Sequence, residues 1–320
     1  MLCSGCADVA VTLRRSCATS PCLSMRSYDR GMSQPRVSVI LPLFGDHRAA
    51  GSLAAVCRAW LRQDVDCEVV VAVAEGTPPP PLPRADRVRL VPGGDCPAAP
   101  GPLRNLAAAA SDAPVLYLGD GDIVPLGDDY LRRALAVGEG RVLIQPWMYR
   151  LVNPSDVQPG RELTAPGGGR LCHVTLTPGG TLEPLGPERF TWLNPEIMVV
   201  EPPPSYGWRD EDGTPWPAFP FHWGGFLLDR AVFEAVGGYS TRYAGWGCED
   251  DDLIAKLEAR ATVLRGWRVA RRLTCLHLEH PRTHTAASIG ANQRILAERL
   301  AAGADAMIAE DLRLAIPNRR

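Results

Sequence analysis

Apolar positions in the first half of the chain alternate between short β-rich runs and stretches of helical spacing. Val37 to Leu43 is an apolar run closed by Pro42 and Gly45, the pattern of a parallel strand buried on both faces. Leu53, Val56, Trp60 and Leu61 then recur at helical spacing, and Glu68 to Ala74 is a second β-branched run. The same reading predicts a helix over Pro102 to Ala110, a strand over Val115 to Leu118, a helix over Tyr130 to Val137 and a strand over Arg141 to Gln145. Alternation of this kind predicts an α/β fold, a mainly parallel central sheet with helices on both faces.

The pattern dissolves between about 146 and 221 into Pro/Gly-rich sequence, read as short strands and a functional insertion because a structureless loop of that length is unusual. Trp192, Tyr206, Trp208 and Trp216 lie there, and each is read as an ordinary packing residue. Beyond His284 the chain reads as polar helix, with Ile289, Ile295, Leu296, Leu300, Met307, Ile308 and Leu312 as its packing stripe and nothing in it that points to chemistry. The expected organisation is an extension over 1–34, an α/β half over 35–145, the insertion over 146–221, a region over 222–285, and C-terminal helices over 286–320. The extension carries Cys3, Cys6, Cys17 and Cys22 without hydrophobic periodicity, and is expected to be disordered and dispensable to a protein starting at Met32.

Composition narrows the classes. At 320 residues and 46% hydrophobic content the chain can bury a sizeable core. A net charge of −2 removes the basic field of a nucleic-acid binder, so no nucleic-acid partner is expected. No segment has the roughly 18 to 20 apolar residues needed to span a bilayer. The six cysteines after the extension have no framework spacing, which suits reduced thiols and a cytoplasmic setting.

Three groups of residues carry candidate chemistry. Glu249, Asp250, Asp251 and Asp252 follow a Trp/Gly-rich turn; they are either an acidic helix start, favoured by the helix dipole, or a site. Asp120 and Asp122 sit where the Val115 to Leu118 strand ends, and are either an Asp-Gly turn or oxygen ligands for a hard divalent cation carrying a diphosphate. His277 and His280 share a metal only if the strand has ended between them, because a spacing of three puts strand side chains on opposite faces.

The run HWGGFLLDRAVFEAVGGYSTRYAGWGCEDDDL followed by HLEH resembles the C-terminal catalytic region of the β-1,4-galactosyltransferase type. VSVILPLF with a downstream D-x-D resembles the family-2-type glycosyltransferases of GT-A fold. The likeness runs from about Arg36 to His284 and implies a GT-A type fold and nucleotide-sugar transfer. Residue by residue, Asp122 and His280 match metal ligands, and His277 falls where those enzymes place a third. Asp250 matches the catalytic base, and Glu249 and Asp251 match residues that hold the acceptor sugar. Trp246 matches the tryptophan of the mobile loop that closes over the donor, and is counted with the acceptor side. Asp120, Gly224, Gly225, Arg104 and Glu75 are assigned to the donor; Glu75 stands where the family usually has an aspartate. Cys248 replaces a glycine, and its Cβ is expected to restrict the backbone to ordinary dihedrals. Asp252 is expected to do no more than cap the helix.

The resemblance implies an inverting, metal-dependent glycosyltransferase using Mn or Mg, a UDP-sugar donor and a hydroxyl acceptor, with the nucleotide-sugar half over 35–145 and the acceptor and catalytic region over 222–285. Golgi galactosyltransferases carry a membrane anchor, and without an apolar segment of that length this chain is expected to be soluble and bacterial. Two alternatives stand beside it. One is a nucleotidyltransferase or other metal-dependent diphosphate enzyme, which needs the two aspartates but not the acidic cluster. The other is a sugar- or nucleotide-binding domain without turnover.

Overall fold

The computed structural model describes residues 35–45, 50–78, 82–83, 85–152, 174–176, 182–184, 198–200, 221–269, 273–278 and 286–315. The extension, the four tryptophan and tyrosine positions of the insertion, and His280 and His284 lie outside them. The first half runs β1 (Val37–Leu43), α1 (Ala50–Leu61), β2 (Cys67–Val73), β3 (Val88–Pro92), α2 (Pro100–Ala109), β4 (Val115–Leu118), β5 (Ile123–Pro125), α3 (Tyr130–Val137) and β6 (Val142–Ile144). Four strands of the middle follow: β7 (Trp147–Val152), β8 (Val174–Leu176), β9 (Leu182–Pro184) and β10 (Met198–Val200). The rest comprises β11 (Phe226–Asp229), α4 (Arg230–Ala235), α5 (Glu249–Glu258), β12 (Val263–Arg265), β13 (Thr274–Leu278), α6 (Ala286–Ala302) and α7 (Ala304–Ala315).

Seven strands form the main sheet in the order β12-β6-β11-β4-β1-β2-β3. β1 pairs in parallel with β2 and β4, β2 with β3, and β12 with β6, while β11 runs antiparallel between β4 and β6. A four-stranded sheet of order β10-β7-β13-β5 lies beside it, and β8 pairs with β9.

The period of two along each strand sorts the core into two layers. Ile40, Val70, Ala72, Leu116, Leu118 and Phe226 join Leu103 and Ala107 of α2 and Leu253 and Leu257 of α5 in one cluster. Val39, Leu41, Val69, Val71, Tyr117 and Leu227 point the other way, onto Leu53, Val56 and Trp60 of α1 and Leu131 and Ala134 of α3. Helices therefore cover both faces, as the apolar pattern predicts.

The acidic cluster occupies the first turn of α5, one of the two readings its sequence allows. Two expectations are corrected. Cys248 adopts the left-handed region at φ 72 in spite of its Cβ, because the chain turns sharply there between Gly247 and the helix. In the C-terminal stripe only Met307 and Ile308 are buried, whereas Leu300 and Leu312 are exposed. What α6 and α7 bury instead is polar: Asn292, Arg299 and Asp311.

Candidate active site

The parallel strands deliver their carboxyl ends to one edge of the sheet, where ligands of open α/β sheets bind. Asp120 follows β4 at that edge, and Glu75 sits exposed in the turn after β2. β11 is antiparallel to β4 with Phe226 opposite Leu118, so the residues entering β11, His222 to Gly225, lie at the same edge. One antiparallel strand thus brings a segment a hundred residues away onto Asp120.

Arg104 of α2 joins the two acidic groups. Its side chain is 1% exposed. Nε donates to the Gly119 carbonyl at 3.3 Å, Nη1 donates to Asp250 Oδ1 at 3.1 Å and to the Tyr239 hydroxyl at 3.3 Å, and Nη2 pairs with Asp120 Oδ1. Glu249 Oε1 stands 3.9 Å from Nη1. The Tyr239 hydroxyl donates to Asp250 Oδ1 at 3.0 Å, and burial raises its pKa well above the usual range, so it remains a donor. Asn105 grips the Tyr239 backbone from both sides, accepting from its N–H at 2.8 Å and donating to its carbonyl at 2.8 Å.

Burial alone would raise the pKa of Asp120; the Arg104 guanidinium and the hydrogen bond to His222 outweigh it and hold the carboxyl well below the usual range. Asp250 goes the other way, since burial raises it by more than Arg104 lowers it. Burial and the neighbouring Asp250 push Glu249 up to about 8. Asp251 is raised by burial and partly restored by Trp223, whose Nε1 donates to its Oδ1 at 2.8 Å. One buried guanidinium therefore faces three carboxyl groups of different proton affinity.

Glycine is required at 224 for space. A Cβ there would come within 2.8 Å of Arg104 Nη2, 3.2 Å of Asp250 Oδ2 and 3.3 Å of Asp120 Oδ2, filling the point where the two acidic groups meet. A Cβ on Gly225 would strike the Pro146 ring at 2.7 Å.

Asp122 and His277 are brought together by pairing of β5 with β13, where His277 lies opposite Ile123. Asp122 Oδ2 is 3.6 Å from His277 Nε2. No group of three or more His, Cys, Asp or Glu placed to hold a metal occurs among the described residues. β13 spans Thr274–Leu278, and His280 lies outside the described residues. Trp246 is 45% exposed on the turn before α5, and Gly247 N–H donates to Glu249 Oε2 at 2.8 Å.

One residue of the site had no counterpart in the sequence reading, and another has a role other than the one expected. His222, 5% exposed, places Nε2 2.8 Å from Asp120 Oδ2, while its buried Nδ1 has no hydrogen-bond partner among the described residues. A lone histidine has no spacing to mark it; only the β11–β4 register shows it. Asp252, expected to cap the helix, instead accepts from Tyr243 at 2.9 Å and from Arg299, 3.5 Å from Lys256 Nζ, all in the interior.

Residues 219–281, which contain His222, Gly224, the acidic cluster and His277, match the family described as the N-terminal domain of galactosyltransferase. This segment is a galactosyltransferase-like, glycosyltransferase region. The α/β architecture around the galactosyltransferase-like region, with acidic groups at the carboxyl edge, is what the GT-A resemblance implies. Among solved structures the chain resembles residues 1–349 of S. aureus TarS in complex with UDP, at 13% identity over 88% of this chain and 70% of that one, TM-score 0.44. It also resembles the catalytic domain of Drosophila β1,4-galactosyltransferase 7 in complex with xylobiose, at 14% identity over 82% and 79%, TM-score 0.41. A third likeness is a mycobacterial protein, at 16% identity over 84% and 74%, TM-score 0.42. At such identities and TM-scores these three bear no weight in assigning the site. No curated protein matches the chain by sequence.

Proposed function

We propose that the chain is an inverting glycosyltransferase that moves a sugar from a nucleoside-diphosphate donor, a UDP-sugar, to a hydroxyl of a sugar or other small acceptor. The observation that supports it is the Arg104 bridge from Asp120 to Asp250 beneath Gly224, inside and beside the galactosyltransferase-like region. A nucleotidyltransferase would need Asp120 and Asp122 alone; a guanidinium tying Asp120 to Asp250 favours a single site with donor and acceptor sides.

Asp250 is the base. Arg104 and Tyr239 hold its Oδ1, so Oδ2 is left on the Gly224 side to take the acceptor proton. The acceptor oxygen bonds to the anomeric carbon as the bond to the diphosphate oxygen breaks, and that electron pair leaves with the diphosphate. Glu249, protonated near neutrality, and Asp251, oriented by Trp223, hold acceptor hydroxyls beside Trp246. Asp120, Gly224 and Gly225 border the donor, with Glu75 toward its nucleoside. Arg104 acts as a positioning residue for both sides, since each of its three buried nitrogens is already bonded to a protein acceptor.

Asp122 and His277 fit a divalent cation, because an oxygen and a ring nitrogen 3.6 Å apart can serve one hard-to-borderline ion. His280 would complete the set. A Mn or Mg ion held there supplies neutralisation of the leaving diphosphate. The five described cysteines are free thiols, consistent with a reducing, cytoplasmic setting, and no described helix is long and apolar enough to cross a membrane.

The test is a panel of nucleotide sugars with and without manganese, following nucleoside diphosphate release and product anomeric configuration. Asp250→Asn should lower turnover by about a hundredfold or more at saturating acceptor with donor affinity unchanged. Asp122→Ala should abolish metal-dependent donor binding. Normal turnover by Asp250→Asn would remove the base assignment, and retention of configuration would remove the inverting one.

A further inference from the structure

The turn before α5 has an unusual backbone. Gly245, Gly247 and Cys248 have φ of 66, 105 and 72, all left-handed, so carbonyls of successive residues converge instead of alternating. Asn292 of α6, 1% exposed, stands where they converge. Its Nδ2 shares two N–H donors among three carbonyls, those of Ala244 and Gly247 at 3.0 Å each and of Trp246 at 3.2 Å, and its Oδ1 accepts from the Ala244 N–H at 3.4 Å. Without a donor between them, three carbonyl oxygens would lie together with their hydrogen bonds unmade.

α6 holds the flanks of the same turn. Glu298 accepts a forked pair from Arg242 at 3.3 and 3.0 Å, and Arg299 donates to Asp252 in the first turn of α5. Asn292 and Arg299 are seven residues apart, two helical turns, and so share a face. The turn gripped in this way carries Trp246 at its tip and ends on the Gly247 N–H that binds Glu249.

We propose that Asn292 is a positioning residue of the acceptor side: it fixes the 244–247 turn, and through the turn it sets Trp246 and Glu249. The effect on transfer rests on the glycosyltransferase reading above; the hold on the turn is read without any substrate. Asn292→Asp keeps the shape but turns an acceptor toward three carbonyls. Tryptic cleavage after Arg242 should become at least about tenfold faster, with cleavage after the exposed Arg268 unchanged. The acceptor KM should rise about tenfold or more while turnover at saturating acceptor falls by less than about threefold, the pattern of lost acceptor binding. Because Asn292 acts through the turn, the same substitution in a Trp246→Ala background should add little to the KM. Asn292→Ser, a shorter donor, repeats the comparison in case the buried carboxylate unfolds α6. Unchanged cleavage after Arg242 overturns the proposal, as does faster cleavage with an unchanged acceptor KM or with a KM effect that persists in full without Trp246. A wild type that turns over no nucleotide sugar overturns the transferase reading, whereas an active wild type with any of those three results overturns this proposal alone.

Discussion

The sheet half and the helices behind the acidic cluster are held by different forces. Between β1, β2 and β4 the contacts are aliphatic, with Val39, Ile40, Leu41, Val70 and Leu116 all fully buried. Between α5, α6 and α7 the centre is ionic: Lys256 binds Asp311 and lies 3.5 Å from Asp252, and Arg299 binds both aspartates while reaching Glu310 at 2.6 Å. Aliphatic contact is non-directional and tolerates repacking, whereas a buried ion network is satisfied in one arrangement only. The helix that carries Glu249, Asp250 and Asp251 is therefore held in one register, while the sheet beneath it supplies most of the hydrophobic stability.

The largest break in that comparison should come from Lys256→Met. It leaves Asp252 and Asp311 with one cation fewer in the interior and should cost about 3–5 kcal/mol in denaturant unfolding. Leu116→Ala in the sheet should cost about 2–5 kcal/mol by cavity formation. The two are told apart by Asp311→Asn, which should relieve part of the Lys256→Met cost and leave that of Leu116→Ala unchanged. Equal additivity in both pairs would mean the charged set does not act as a network.

A second comparison is made by pH. Glu249 sits at about 8 in the folded chain against an ordinary 4.5, so the folded state keeps a proton that the unfolded state releases. That contribution is complete below the ordinary value and is lost as pH rises through the folded one. Glu249→Gln has no such proton, so its stability relative to wild type should improve steadily from about pH 5 to about pH 9. A constant difference across that range would show that Glu249 titrates normally.

The smallest expected effect is a gain. Cys248 holds a left-handed conformation that glycine adopts freely, so Cys248→Gly should stabilise the fold by about 1 kcal/mol, read as a rise in melting temperature. No rise would mean that contacts of the thiol side chain offset the backbone strain.

Much of the sheet half was legible in the sequence, because its information is local. The strand over Val115–Leu118 and the helix over Tyr130–Val137 fall where the pattern put them, and β2 and α2 differ by a residue or two at their ends. A period of two or of 3.6 records burial of one face, and burial by hydrocarbon leaves that period in the sequence. The α6–α7 hairpin was misread for the same reason: a stripe of Leu and Ile marks a packing face only when hydrocarbon does the packing. Here the buried face carries Asn292, Arg299 and Asp311, which in sequence look like a solvated surface.

The sequence by itself determined the alternation of strands and helices, the two acidic groups and their resemblance to galactosyltransferases, since each is written in consecutive or regularly spaced residues. Only the tertiary structure decided that the groups form one place. Arg104 reaches Asp120 and Asp250 across 16 and 146 residues, His222 meets Asp120 because β11 runs antiparallel to β4, and Asn292 closes a turn 45 residues before it. Such pairings depend on strand order and on the direction of a single strand, and polar groups meeting at long range leave no period along the chain that forms them.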